Sequence, residues 1–147
     1  MIHPSDFLVQ AKQLLGSGQS TSEVNCRSAI SRAYYSLFHE TRDYFESFHK
    51  KKLIDQILLT LNLRKQGFEQ NKIASLDWNY IQRLGVSTHA VVYQVLRQLD
   101  RAAAKDLGGF RDRRNTADYE LSAQLKPDAS KTDVEAMEKL IDFVKKL

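Results

Sequence analysis

An all-α bundle is the fold class this sequence predicts, and three observations predict it. Only two prolines and six glycines interrupt 147 residues. No stretch alternates apolar and polar residues, with β-branched enrichment, over enough length to argue for a sheet. Apolar residues recur instead at three- and four-residue steps over long segments. The short connections between those segments imply antiparallel neighbours in an up-and-down bundle.

The elements follow in order. Phe7, Leu8, Ala11, Leu14 and Leu15 share one face of a first helix, which Ser5 can cap and Gly16-Ser17-Gly18 stops. Ser20-Thr21-Ser22-Glu23 has the form of a capping box. After it, Ile30, Ala33, Tyr34, Leu37, Phe38, Thr41, Phe45 and Phe48 mark a second helix that should run unbroken to about His49. Leu53, Ile54, Ile57, Leu58 and Leu61 predict a third; Leu76, Tyr80, Ile81 and Leu84 predict a shorter one capped by Ser75. From about Ser87, the residues Thr88, Val92, Val95, Leu96, Leu99 and Ala103 face inward on the next helix. Gly108-Gly109 then offers a bend, and the helix resumes from Arg111 to about Leu121. Lys126-Pro127-Asp128-Ala129 is expected as a loop, and Thr132-Asp133-Val134-Glu135 as the cap of a last helix that buries Val134, Met137, Ile141 and Val144.

With 42% apolar and 27% charged residues, the chain fits one ordinary domain, 1–147, able to bury a core without metals or cross-links. The single cysteine, Cys26, excludes an intrachain disulfide and demands no oxidising compartment, so the expected address is cytoplasmic. No segment approaches the roughly 18 consecutive apolar residues of a membrane span, and Met1 to Asp6 does not resemble the start of a secretion signal. No membrane partner is expected. The four histidines are widely separated and Cys26 has no thiol partner, which leaves no metal site. Gly16-Ser17-Gly18 and Gly108-Gly109 both lack the features of a phosphate loop, so no cofactor is expected. Lys and Arg exceed Asp and Glu by 22 to 18, a modest bias toward polyanionic partners. The arginines are densest at Phe110-Arg111-Asp112-Arg113-Arg114.

Two segments carry a family resemblance. Arg27-Ser28-Ala29-Ile30-Ser31-Arg32-Ala33-Tyr34-Tyr35-Ser36-Leu37-Phe38-His39 resembles the long second helix of small prokaryotic HEPN (higher eukaryotes and prokaryotes nucleotide-binding) proteins. Arg111-Asp112-Arg113-Arg114-Asn115-Thr116-Ala117-Asp118-Tyr119 resembles their Arg-x-x-Arg-Asn-x-Ala-Asp-Tyr signature. The resemblance implies a four- to five-helix bundle of HEPN type, with residues 50–85 as an extra helical insertion. It further implies a homodimer, RNA or a nucleotide as ligand, and a toxin-like role beside a nucleotidyltransferase-type antitoxin. Catalytic relatives are metal-independent ribonucleases whose arginine and polar residue are followed by a histidine. Here Arg114-Asn115 matches the first half, while Asp118 and Tyr119 stand where the histidine would be.

That departure bears on the chemistry. Cleavage of RNA by its own 2′-hydroxyl needs proton transfers, for which an imidazole suits neutral pH, and cations for the charged phosphorane. The cations are present and the imidazole is not. Asp118 among three arginines is a poor candidate base, and Tyr119 is better suited as an acid or a phosphate-contacting hydroxyl. The candidate catalytic group is therefore Arg114, Asn115, Asp118 and Tyr119. Candidate RNA- or nucleotide-binding residues are Arg111, Arg114, Arg32, Tyr35 and His89. On a helix, Arg111, Arg114, Asn115 and Asp118 fall on one face and can clamp a phosphate; the alternative is an ion-pair network. Tyr34 and Tyr35 are 100° apart on a helix, so Tyr34 is assigned to the core and Tyr35 to the site. Arg113 is expected in solvent. His89 could equally be a surface residue near a helix start. A second functional class stays open: a non-catalytic module that docks a nucleotidyltransferase, with Tyr119 as an acceptor hydroxyl.

Overall fold

The computed structural model describes residues 1–147 as eight α-helices without a strand: α1 (Pro4–Leu14), α2 (Glu23–Phe48), α3 (Lys50–Leu63), α4 (Gln70–Ala74), α5 (Trp78–Arg83), α6 (Thr88–Leu99), α7 (Arg101–Tyr119) and α8 (Pro127–Val144). A short 3₁₀ turn, Gly18–Ser20, follows α1. None of the helices is long and apolar enough to cross a membrane. The chain divides into two compact units, one of residues 1–41 with 105–147 and one of residues 42–104, the divisions falling inside α2 and α7.

In the first unit, α8 packs on α1 and on the 3₁₀ turn. Its core is built from Ala29, Ile30, Ala33 and Leu37 of α2, Leu107 and Phe110 of α7, and Val134, Met137 and Ile141 of α8, all buried. Full burial of such side chains contributes about 1.5–3 kcal/mol each, so α2, α7 and α8 are held by their apolar stripes. Polar ties fix the register: Lys145 pairs with Glu40 at 3.0 Å and Lys12 pairs with Glu138. Cys26 is buried and reduced.

In the second unit, α3 packs on α6 and α4, α4 on α5, and α5 on α6. Leu53, Ile57 and Leu61 of α3 meet a core that includes Ile73, Ile81, Val92, Val95 and Leu96. Residues 50–85, the expected insertion, lie wholly inside this unit.

Several expected boundaries differ, each for a local reason. α1 starts one residue before Ser5, because Pro4 occupies the first turn and the Asp6 carboxylate accepts the His3 N–H at 2.8 Å. α2 is capped by Ser22, whose Oγ accepts the Asn25 N–H at 3.2 Å, rather than by a box spanning Ser20 and Glu23. The segment before Gly85 is two short helices, not one. Ser75 closes α4, Leu76 takes a left-handed φ of 52°, and the Asp77 side chain caps α5 through the Tyr80 N–H. The break after α6 falls at Asp100, and α7 passes through Gly108-Gly109 without a bend. Asp100 is extended, and its Oδ1 accepts the Ala103 N–H at 2.9 Å, so it acts as an N-cap. Finally, α8 begins at Pro127, five residues before the expected cap, with Pro in its first turn.

Candidate functional site

The arginine motif occupies the C-terminal half of α7 and faces the N-terminal half of α2 within the first unit. Arg27 makes the junction. Its guanidinium donates to the carbonyls of Ala117 at 2.9 Å and Thr116 at 3.3 Å, and also to those of Glu120, Leu121 and Ala123 beyond the helix end. These are the acceptors a helix C-terminus leaves without intrahelical partners, and a cation there also complements the helix dipole. Glu23, one turn back, holds the second side of the same guanidinium at 2.9 Å. The end of the motif helix is thereby fixed in place.

Tyr34, one of two adjacent tyrosines on α2, supports the motif from beneath. It is 2% exposed, as the core assignment requires, yet the Arg114 guanidinium lies over its ring with 5.7 Å to the centroid. Burial pushes the phenol up to about 12 against the opposing positive fields of Arg111 and Arg114, with Asp112 adding to the rise. At neutral pH the hydroxyl is therefore protonated, and the two arginines sit near enough to act on it.

Arg114 itself is engaged on both sides. It donates to Asn115 Oδ1 at 3.1 Å and lies 3.5 Å from Asp118 Oδ2, where Ser31 Oγ also donates at 3.4 Å. Ser31, Tyr34, Arg114, Asn115 and Asp118 thus form one connected group. Arg111 is exposed on the same helix, and Tyr119 is 73% exposed at its end.

Arg113 is not simply solvated. It pairs with Asp133 of α8 at 3.2 Å and lies over the Phe110 ring. Burial raises the Asp133 pKa even though Arg113 lowers it, so desolvation outweighs the ion pair.

The structure separates the remaining candidates. Arg32 and Tyr35 turn toward α1: Arg32 Nε donates to Gln10 at 3.1 Å, and Tyr35 lies between Phe7 at 4.4 Å and His39 at 4.0 Å. Helical geometry explains the division, since residues 27, 31 and 34 share one face while 32, 35 and 39 share the next. His89 is the second residue of α6, in the other unit, half-buried behind the Ser87 cap. No group of His, Cys, Asp and Glu is arranged to hold a metal ion.

Sequence reasoning missed two contributors. Arg27 lies in the segment that carries the resemblance, and its i, i+4 spacing from Glu23 was visible, but five carbonyl acceptors some ninety residues away were not. Tyr34 was placed in the core, which is correct, and its second role as the support for Arg114 has no local signal. Comparison of the chain with protein-family models, with curated proteins and with solved structures found no match.

Proposed function

We propose that the chain is a HEPN-type protein, a four- to five-helix bundle of that family with an added helical segment, which binds RNA or a nucleotide through Arg111, Arg114, Asn115, Asp118 and Tyr119. The observation that carries this reading is the support of Arg114 on the buried Tyr34 ring, with Arg111 close enough to act on the same phenol. An exposed i, i+4 pair contributes only a few tenths of a kcal/mol, so stability alone is a thin reason to build such a group. A guanidinium held by an aromatic face, an amide and a carboxylate is pre-organised to receive a phosphate oxygen.

Within this reading the protein is toxin-like, acts as a homodimer, and cleaves RNA without a metal. Arg111 and Arg114 would stabilise the phosphorane, and Tyr119 would donate the proton to the leaving oxygen. Induced expression in a bacterial host tests it. Wild type should arrest growth with fragmentation of cellular RNA, and Arg114→Ala should abolish both. For binding alone, the measurement is retention of labelled cellular RNA by purified wild type and by R111A/R114A; equal retention by a folded double variant refutes the reading.

One observation favours a second reading, in which the bundle is a non-catalytic partner of a nucleotidyltransferase. Tyr119 presents an open hydroxyl at the end of the arginine helix, where it could accept a transferred nucleotide. Co-expression with such an enzyme followed by intact mass decides this: added mass that Tyr119→Phe removes supports it, and unchanged mass refutes it.

A further inference from the structure

Charge is distributed unevenly along this chain. Residues 42–104 hold ten Lys and Arg against six Asp and Glu, whereas the other unit holds twelve of each, so the whole formal excess of +4 belongs to the second unit. Long-range attraction for a polyanion therefore originates there and not at the arginine motif, whose cations are balanced by acids.

Within that unit, Gln94, Arg97, Gln98 and Arg101 line a surface cavity of about 340 Å³. The site arises where α6 stops. Asp100 leaves the helix in an extended conformation (φ −160°, ψ 113°), so Arg101 opens α7 instead of continuing α6. The Asp100 carboxylate accepts the Ala103 N–H and is not a lining group. Neither Arg97 nor Arg101 forms an ion pair, whereas Arg27, Arg113 and Arg114 each have a carboxylate partner. Gln98 donates to Gln56 Oε1 at 3.5 Å, the long limit of a hydrogen bond, which leaves its amide available.

Two unpaired guanidiniums and two amides in one concavity match the oxygens of a phosphate, because the planar fork of Arg pairs with them bidentately. No aromatic or apolar side chain lines the cavity, so a base would find nothing to stack on. Contact is then to the sugar-phosphate chain and carries no sequence information. We infer that this cavity binds phosphodiester groups of single-stranded RNA. The assignment concerns the second unit and does not rest on the reading of the arginine motif.

The test is titration of the full chain with octauridylate, following the arginine Nε–Hε NMR signals, assigned through Arg97→Lys, Arg101→Lys, Arg111→Lys and Arg114→Lys. Saturable movement at Arg97 and Arg101 is expected. Parallel binding curves over a range of salt should show R97Q/R101Q lowering the log–log salt slope by about two relative to wild type. Movement confined to Arg111 and Arg114, or an unchanged slope, overturns the cavity while leaving the motif reading intact. Movement at Arg97 and Arg101 alone supports the cavity and counts against the motif reading, and no movement at either pair overturns both. Uridine monophosphate and inorganic phosphate serve as further arms: equal shifts at equal concentration would make the cavity a free-phosphate site and overturn the strand assignment.

Discussion

Tyr34 joins the core of the first unit to the charged face above it, and its protonation state can be read in solution. Its phenol is raised to about 12 mainly by burial, whereas an unfolded tyrosine titrates near 10. A folded value above the unfolded one favours the neutral form in the native state. The associated stability is fully present below about pH 10 and is lost as pH rises toward 12. Denaturant midpoints of wild type and Tyr34→Phe between pH 8 and 12 should therefore converge as pH rises through that window. A difference that stays constant would mean that the phenol is not protected. Arg27 supports a second prediction at this scale. Its side chain is only 13% exposed and bonds the carbonyls that end α7. Arg27→Ala should cost about 2–3 kcal/mol, the scale of losing charged hydrogen bonds and leaving buried acceptors unpaired. Hydrogen exchange should quicken at 116–119, and Arg27→Lys should restore little, because one ammonium cannot span both sets of carbonyls.

Helix α7 shows where sequence reasoning succeeds and where it stops. Its motif half was legible because Arg111, Arg114, Asn115 and Asp118 fall on one face by spacing alone, and Arg114 does meet Asn115 and Asp118 there. The start of the helix was misplaced because Gly108-Gly109 resembles punctuation, while Asp100, the residue that ends α6 and caps α7, lies inside an apparently continuous apolar pattern. Packing decided the matter: Ala103, Ala104, Leu107 and Phe110 are all buried on α7, and their spacing holds the glycines in a helix they disfavour. Likewise, the separation of Arg32 and Tyr35 from Ser31 and Tyr34 depends on which side of α2 receives α1, which is information no single helix contains. The glycine effect is measurable. A Cβ built at Gly109 meets nothing within 4 Å, and the residue has no left-handed φ. Gly109→Ala should accordingly raise stability by about 0.5–1 kcal/mol through helix propensity and reduced unfolded-state freedom. Thermal melts would show it, and a lowered midpoint would indicate that the glycine serves a close approach by another chain.

At the scale of the whole molecule, the division into two units assigns different work to different stretches of sequence. The unit of residues 42–104 is continuous in the chain, holds all of the net charge and has its own buried apolar set, with Leu53, Ile57, Leu61, Ile73 and Ile81 at 0% exposure. The other unit is assembled from both ends of the chain and carries the arginine motif in neutral surroundings. A core that is continuous in sequence forms through local contacts, so its opening should be a local event as well. Ile57→Ala removes buried methyl groups from the middle of α3 and should cost about 2–5 kcal/mol. If the second unit opens as its own cooperative element, the increase in hydrogen exchange will concentrate between residues 50 and 99, while amides in α1 and α8 keep their wild-type protection. Loss of protection in α1 and α8 to the same degree would mean that the 147 residues unfold as one. The 42–104 stretch would then have to be treated as part of a single core, and its basic surface as inseparable from the stability of the arginine motif.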